Sequence, residues 1–170
     1  LSVGHDEYWS GDQRANVEAA RDAGVNLAFF SGNEVFWKTR WESSKVDWTP
    51  YRTLVCYKET HSNVRSDPEP GVWTGTWRDP RFRAVSDGGR PENELTGTLF
   101  MVNGPVNDSL VVPYAESRLR LWRNTQLGTM LPGQSAYFSA GILGHEWNMD
   151  LDNGFRPAGL VRYSRAQIYQ

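Results

Sequence analysis

Several features are scarce in this sequence, and each scarcity excludes a class of protein. Cys56 is the single cysteine, so the chain can form no disulfide within itself and contains no CxxC metal or redox motif. No apolar run approaches the roughly 18 residues that a membrane-spanning helix needs. The formal net charge is only −2, which gives no strong attraction to nucleic acid or to anionic lipid. We therefore expect neither nucleic acid nor a membrane among the partners.

The composition is that of an ordered globular protein. Hydrophobic residues make up 39% of the 170 positions, and eight tryptophans, seven tyrosines and seven phenylalanines supply bulky side chains for a core. A chain of this length suits one core and is marginal for two. Because it opens in mid-strand without an initiator methionine, we predict that residues 1–170 form a single domain that is a fragment of a larger one.

The first part of the chain follows a strand, helix, strand pattern. Residues 1–3 are typical of the end of a buried strand, and Ser10 before an acidic first turn favours a helix over residues 11–23. Gly24 can end that helix in the left-handed conformation. Residues 25–30 form a short apolar run that is typical of a strand buried on both faces. Together these elements predict a βαβ unit with a right-handed crossover.

The predicted helix has two unlike faces. Ala15, Ala19 and Ala23, together with Val17 and Ala20, lie along one face, which we expect to pack against the core. Arg14 and Glu18 belong to the opposite, charged face, which we expect to lie in solvent.

After this βαβ portion, residues 1–50, the sequence predicts a β-rich portion, residues 51–170. Residues 35–41 precede the change and carry three aromatic side chains in a pattern that suggests a short helix. The predicted strands, separated by turn residues, cover residues 52–57, 72–77, 95–102, 110–113, 119–123 and 135–138. The expected fold class is α/β, with a small α/β portion that leads into a β-rich one.

Polar side chains follow both strands of the predicted βαβ unit. His5, Asp6 and Glu7 come after the first strand, and Asn33 and Glu34 come after the second. The carboxyl ends of parallel strands meet at one edge of a sheet, where ligands bind in open α/β folds, so we expect the two groups to be neighbours. A carboxylate there can bind a hard cation or act as a base, and a nearby imidazole can share the site. A turn closed by ordinary ion pairs is the alternative, and both interpretations stay open at this point.

A second candidate lies further along the chain, where His145 and Glu146 precede Trp147. It is not an HExxH zinc motif, because position 149 is methionine. A catalytic pair and a surface turn beside a buried tryptophan both fit this stretch. Residues 148–154 resemble the front of a calcium loop, but the glycine falls one place late and no glutamate occupies the twelfth position, so a turn with Asx hydrogen bonds is expected.

Two further features favour structural roles. Trp73, Trp77, Trp122 and Trp147 could form a sugar-binding platform, although tryptophans in such β regions more often pack in the core. Cys56 lies inside a predicted strand, where a buried thiol is expected rather than a nucleophile. The sequence contains no GxSxG, Walker or GxGxxG motif.

Several long motifs carry a family resemblance over nearly the whole chain. The stretches GHDEYWS and NLAFFSGNEVFWK resemble the C-terminal domain of the N,N-dimethylformamidase large (beta) subunit family, and so do GTWRDPRF, ENELTGTLF, LRLWRNT and GHEWNMDLDNGFRPAGL. The resemblance implies an α/β fold related to class I glutamine amidotransferases, with a flavodoxin-like sheet that is partial in this chain. It also implies metal-dependent hydrolysis of a small amide such as a formamide, with a mononuclear iron as the cofactor.

The resemblance further implies roles for individual residues. Glu7 matches a glutamate that binds the ferric ion (Fe3+), and the two tyrosine ligands are expected in the sequence before Leu1. His5 matches a histidine beside the metal, Asn33 a substrate-positioning amide, and Glu146 a distal glutamate that serves as general base. The site is therefore expected to be incomplete without the upstream segment.

The same resemblance implies the biological setting. Family members that resemble the chain most closely occur as one module of long bacterial proteins, often secreted. The expected partners are a small amide substrate and the N-terminal portion of the same protein, with homo-oligomer formation left open. An extracellular location is favoured and a cytoplasmic one stays open. The alternative function is a noncatalytic module of a secreted multidomain protein that binds a ligand or a polysaccharide.

Overall fold

The structure is a computed structural model that describes residues 1–81, 87–104 and 107–166. Phe82, the last residue of the GTWRDPRF motif, lies outside the described residues. The strands are β1 Ser2–Val3, β2 Tyr8–Ser10, β3 Phe29–Phe30, β4 Trp37–Glu42, β5 Thr53–Val55, β6 Leu99–Asn103, β7 Val111–Pro113, β8 Ser135–Tyr137 and β9 Glu146–Met149. The helices are α1 Gly11–Asp22, α2 Glu59–Ser62, α3 Asn93–Thr96 and α4 Tyr114–Ser117, and 3-10 turns cover Arg120–Trp122 and Gln126–Thr129.

Two parallel strand pairs begin the fold. β1 pairs with β3, with Ser2 beside Phe29, and β2 pairs with β4, with Tyr8 beside Trp37. Helix α1 lies between β2 and β3 in the chain, so the strand, helix, strand order of the predicted βαβ unit is confirmed. β4 continues into an antiparallel pairing with β5.

The helix predicted over residues 35–41 is wrong, because this stretch contains strand β4. The first half of β4 pairs with β2, and its second half pairs with β5. Trp37 also forms an isolated bridge with Thr76. The backbone of this segment is therefore hydrogen-bonded to several neighbours, and this tertiary pairing outweighs the local sequence pattern.

The strands β1 and β3 exist, but the prediction that they are buried is wrong. The Val3 and Phe30 side chains are 66% and 67% exposed, and Leu1 is exposed as well. Among the described residues, β1 and β3 pair only with each other. Most of the run predicted as the second strand, residues 25–28, is irregular.

Helix α1 begins where the sequence predicts, and Val17 packs against the core as its predicted face requires, but other residues of the two faces depart from the prediction. Ser10 Oγ accepts the Gln13 N–H at 3.2 Å, as expected of an N-cap, and Gly24 follows the helix with φ of +88°. Arg14, expected in solvent, is fully buried, whereas the alanines at 15, 19 and 23 are exposed. The guanidinium stays buried because it lies 4.7 Å from the centre of the Trp77 ring and is hydrogen-bonded to carboxylates and carbonyls.

The hydrogen-bond partners of Arg14 tie α1 to the segment before α3. Its nitrogens donate to Glu18 Oε1 at 2.8 Å, to Glu94 Oε2 at 3.1 Å, and to the carbonyls of Arg90 and Pro91 at 2.7 and 3.2 Å. The cluster of buried hydrophobic residues packed here contains Trp9, Val35, Trp77 and Leu95. A charged residue of the helix is therefore part of its attachment to the core.

The stretch 72–77, predicted as a strand, is held by a buried side chain and by separate backbone bonds, in which the Lys38 N–H donates to the Gly75 carbonyl and the Trp77 N–H to the Phe36 carbonyl. Glu59 is fully buried, and its carboxylate accepts the N–H groups of Ser66, Asp67 and Thr74 at 2.6, 2.8 and 2.6 Å. Of the predicted strand, Thr76 forms an isolated β-bridge. The carboxylate satisfies backbone donors that a strand ladder would otherwise satisfy, so the strand prediction is wrong.

The described chain groups into two compact units. One contains Leu1–Met101 and Asn148–Pro157, and the other contains Val102–Trp147 and the segment from Ala158 onward. The single domain predicted over residues 1–170, with its portions 1–50 and 51–170, stays a prediction.

In the second unit, β7 and β8 form an antiparallel pair, with Val112 beside Ala136. The predicted strand over residues 119–123 is wrong, because a 3-10 turn covers Arg120–Trp122. The Trp122 N–H donates to the Leu119 carbonyl at 3.0 Å, and such local bonds leave the segment unable to join a ladder.

The fold is mixed α/β, with several small sheets and mostly strands among its regular elements. One of these small sheets is formed by β6 and β9. The broad α/β class is thus confirmed. In the described part of the chain, every helix is too short or too polar to cross a membrane.

Candidate active site

The first candidate motif forms the loop between β1 and β2. Gly4 enters the loop with φ of +82°, a conformation that other residues rarely adopt. His5 Nδ1 lies 2.9 Å from Glu7 Oε1. The His5 side chain is 84% exposed, whereas the Glu7 side chain is only 15% exposed. The loop therefore presents a shielded carboxylate beside an accessible imidazole.

Asp6, between these two residues, anchors the loop. Its carboxylate accepts hydrogen bonds from Ser2 Oγ at 2.5 Å and from the indole Nε1 of Trp9 at 2.9 Å. The same indole donates to the Asp6 carbonyl at 3.0 Å. Because Trp9 belongs to the hydrophobic core, these bonds attach the loop to the core.

The turn after β3 lies beside this loop, as the sequence predicts. The Val35 N–H donates to the Asp6 carbonyl at 3.0 Å, and the Trp37 N–H donates to the Glu7 carbonyl at 2.7 Å. These bonds continue into the parallel hydrogen bonding between β4 and β2. The segments that carry Glu7 and Asn33 are therefore held side by side by their backbones.

Asn33 and Glu34 are both buried within this turn. Asn33 has a φ of +48°, and its N–H donates to Asn148 Oδ1 at 2.6 Å. Glu34 accepts the Ser31 N–H at 2.8 Å through Oε1 and the Asn148 Nδ2 at 2.7 Å through Oε2. Burial raises the pKa of Glu34, with a smaller contribution from the charge of Asp6, although the hydrogen bonds favour the carboxylate.

Lys58 is a charged neighbour of this site that the sequence did not reveal. Its Nζ lies 4.8 Å from the centre of the Trp37 ring and 5.6 Å from that of Tyr8. A hydrogen bond with the Tyr8 side chain is the main cause that raises the pKa of Lys58, and the charge of Glu7 adds to it. The position of Lys58 depends on a left-handed φ of +52°, which no sequence signal indicates for a lysine.

Glu146 is the first residue of β9 and is half-buried. It belongs to the second compact unit, and its role as general base stays a prediction. The residue after it, Trp147, is buried, as expected if this stretch packs around its tryptophan. The carbonyl of His145 accepts the Gly104 N–H at 3.0 Å.

Comparison with protein families now decides the relationship. A family described as “N,N-dimethylformamidase beta subunit-like, C-terminal” matches residues 1–170. The chain belongs to this family. The family resemblance, which includes the stretches GHDEYWS and GHEWNMDLDNGFRPAGL, is therefore confirmed. Comparisons with curated proteins and with solved structures found no significant match.

Within this dimethylformamidase-like family member, the donor chemistry of Glu7 fits a hard, highly charged cation. Carboxylate oxygens are ligands that such cations prefer. In the described part of the chain, the salt-bridge partner of Glu7 is His5 rather than an arginine or a lysine. A shielded carboxylate favours positive charge nearby, and the charge of Lys58 supplies part of it. Glu7 is therefore suited to share in the binding of a metal ion.

The acidic stretch of residues 148–154, which begins within β9, forms structural contacts rather than a calcium loop. Asp150 and Asp152 accept hydrogen bonds from Arg156 at 3.0 and 3.2 Å. Asp152 also accepts the Gly154 N–H at 3.2 Å, which confirms the predicted Asx bonding. The first residue of the stretch, Asn148, contacts the turn after β3 instead, a role that its neighbours in sequence did not indicate.

The tryptophans of the predicted sugar platform are mostly core residues. Trp73, Trp77 and Trp147 are buried, and Trp122 is half-buried with its indole donating to the Tyr163 carbonyl at 2.9 Å. The structural interpretation of the three buried residues is confirmed. Burial also raises the pKa of the Cys56 thiol, which disfavours the thiolate that a nucleophile needs.

Proposed function

We propose that the intact protein carrying this chain hydrolyses a small amide such as a formamide, with iron as its cofactor. The observation that carries the proposal is the shielded Glu7 carboxylate, paired with His5 beside the turn of Asn33 in a member of the dimethylformamidase-like family. The family resemblance also supports placing the parallel strand pairs within a glutamine amidotransferase-like, flavodoxin-like sheet.

The proposed metal ligand in this chain is Glu7. The resemblance assigns the remaining protein ligands to two tyrosines of the preceding sequence. When bound, a ferric ion supplies positive charge that polarises a carbonyl and acidifies water. Phenolate and carboxylate groups are hard, anionic donors suited to that charge.

The remaining residues are proposed to act on the substrate. His5 orients the Glu7 carboxylate through Nδ1, and its exposed ring is available to hydrogen-bond a developing oxyanion. Asn33, next to this loop, is proposed to position the substrate through its amide. On the family resemblance, Glu146 is proposed as the general base.

The test measures bound iron and hydrolysis of N,N-dimethylformamide by the intact protein and its variants. We expect Glu7→Gln to lose both iron and activity, the latter by at least about a hundredfold, the scale at which removal of one electrostatic contact slows an enzyme. Glu146→Gln should keep the iron but lose activity. Glu69→Gln, which changes an exposed glutamate of the first unit, is the matched control and should keep both.

Two results would contradict the proposal. One is wild-type protein that neither binds iron nor releases dimethylamine and formate. The other is a Glu7→Gln variant with unchanged iron content and activity. Either result would favour the noncatalytic binding module.

A further inference from the structure

The turn between β3 and β4 has an unusual backbone. Asn33 and Val35 have φ values of +48° and +56°, a region that is unfavourable for side chains and most of all for a β-branched one. Val35 is also fully buried. Such conformations persist only where the surrounding contacts over-determine them, so the turn must be held from outside.

One amide side chain, that of Asn148, holds both sides of the turn. Its Oδ1 accepts the Asn33 N–H at 2.6 Å, and its Nδ2 donates to Glu34 Oε2 at 2.7 Å. The other oxygen of Glu34 accepts the Ser31 N–H at 2.8 Å. Asn148 and Glu34 therefore form a continuous hydrogen-bonded bridge from residue 31 to residue 33.

The bridge requires an amide at one end and a carboxylate at the other. Glu34 must accept at both oxygens, because Ser31 N–H and Asn148 Nδ2 are both donors. Asn148 must accept at Oδ1 and donate at Nδ2. While Glu34 is ionised, a change from acid to amide or from amide to acid at one of the two residues places two donors or two acceptors against each other.

The bridge also bears on the candidate active site. The Val35 N–H donates to the Asp6 carbonyl, and the Trp37 N–H donates to the Glu7 carbonyl. A change in the shape of the turn would therefore move Asn33 relative to the loop that carries Glu7. A displacement of about 1 Å at a positioning group can slow catalysis by about a hundredfold.

We propose that Asn148, acting through Glu34 and the Asn33 N–H, is a positioning residue that holds Asn33 in place for the substrate. The inference rests on the proposed function for the role of Asn33, but the bridge itself can be tested separately. The reciprocal change of both partners provides the sharpest test, because it exchanges donor and acceptor and preserves the bonds of the bridge; the carboxylate introduced at position 148 can still accept from the Thr98 hydroxyl, to which Asn148 Nδ2 donates at 3.3 Å.

The experiment is a double-mutant cycle in the intact protein, with Asn148→Asp, Glu34→Gln and both together. In the double variant, the amide introduced at position 34 donates to the carboxylate introduced at position 148, while its oxygen still accepts the Ser31 N–H. We expect each single change to lower kcat by roughly tenfold to a hundredfold, with bound iron retained. The double variant should recover to within about threefold of the wild type.

A second readout does not depend on activity. Hydrogen exchange of the Asn33 amide should accelerate in both single variants and return toward the wild-type rate in the double variant. The control is Asn153→Asp, which disturbs an amide pair with Asn93, at 2.8 Å, in the same unit. It should leave the exchange of the Asn33 amide and kcat unchanged.

The outcomes separate this inference from the proposed function. If the wild type hydrolyses no amide, the proposed function fails. Hydrogen exchange of the Asn33 amide in the three variants still decides whether Asn148 and Glu34 hold Asn33. Loss of stability in the single variants with unchanged kcat would overturn the positioning role. Exchange rates that the double variant fails to restore would overturn the bridge.

Discussion

The two parallel strand pairs that flank the candidate site differ sharply in burial. In the pair of β1 and β3, Val3 and Phe30 are largely exposed, whereas in the pair of β2 and β4, Trp9 and Trp37 are only 4% and 5% exposed. Both pairs come from the same two stretches of chain, before and after helix α1. The loop of Glu7 and the turn after β3 connect the exposed pair to the buried one.

This difference shows which strand pair anchors the loop of Glu7. The Trp9 indole bonds to Asp6, and the N–H groups of Val35 and Trp37 bond to the carbonyls of the loop. These three donors belong to, or precede, β2 and β4, whereas the exposed pair contributes the Ser2 hydroxyl of β1, which donates to the Asp6 carboxylate. The loop of Glu7 therefore depends more on β2 and β4 than on β1 and β3.

The largest effect is expected when the buried pair loses its anchor. Trp9→Ala should lower the free energy of unfolding by roughly 3–5 kcal/mol, because it leaves a cavity in the core and removes the donor to Asp6. Val3→Ala, on the exposed pair, should change it by less than about 0.5 kcal/mol. Urea unfolding followed by tryptophan fluorescence or circular dichroism measures both. Similar losses for the two variants would contradict the comparison.

A smaller effect is expected at the buried charge that supports β4. Arg40 donates to both oxygens of Asp67 at 2.9 Å, and the Asp67 side chain is fully shielded. Arg40→Gln should cost about 3 kcal/mol at neutral pH, because it leaves a buried carboxylate without its cation. Urea unfolding of the variant against the wild type measures this cost.

The ion pair of Arg40 and Asp67 makes the cost of the Arg40→Gln change depend on pH. Burial opposes the charge of Asp67, but the hydrogen bonds from Arg40 and other donors outweigh it and lower the pKa of Asp67 below 3.8. The stabilisation is therefore present above the ordinary aspartate pKa and is lost as the pH falls through the lowered value. The difference in stability between wild type and Arg40→Gln should shrink in acid. A constant difference would show that Asp67 does not cause it.

The smallest effect is expected at the helix cap that follows β2. Ser10→Ala should destabilise the protein by about 1 kcal/mol, because the Gln13 N–H loses its acceptor. Ser10→Gly, the matched control, should cost only about a few tenths of a kcal/mol, since glycine is a tolerated N-cap. Thermal unfolding of the two variants distinguishes the cap from other effects, and equal losses would argue against it.

Much of the first part of the fold could be predicted from local signals. The cap at Ser10, the end of the helix at Gly24 and the parallel arrangement around α1 each depend on residues close in sequence. The prediction that the Glu7 loop and the Asn33 turn lie close together followed from the same parallel arrangement. The burial of Arg14 could not be predicted, because its partners Arg90, Pro91 and Glu94 come from a distant segment.

The sequence by itself determined the helix, the order of the strands around it, and the family motifs that point to Glu7, His5, Asn33 and Glu146. Those features rest on local backbone preferences and on residue identity. Only the tertiary structure decided that residues 37–42 form a strand and that Asn148 holds the turn of Asn33. Hydrogen bonds between segments far apart in the chain stabilise these arrangements, and no local pattern encodes such partners.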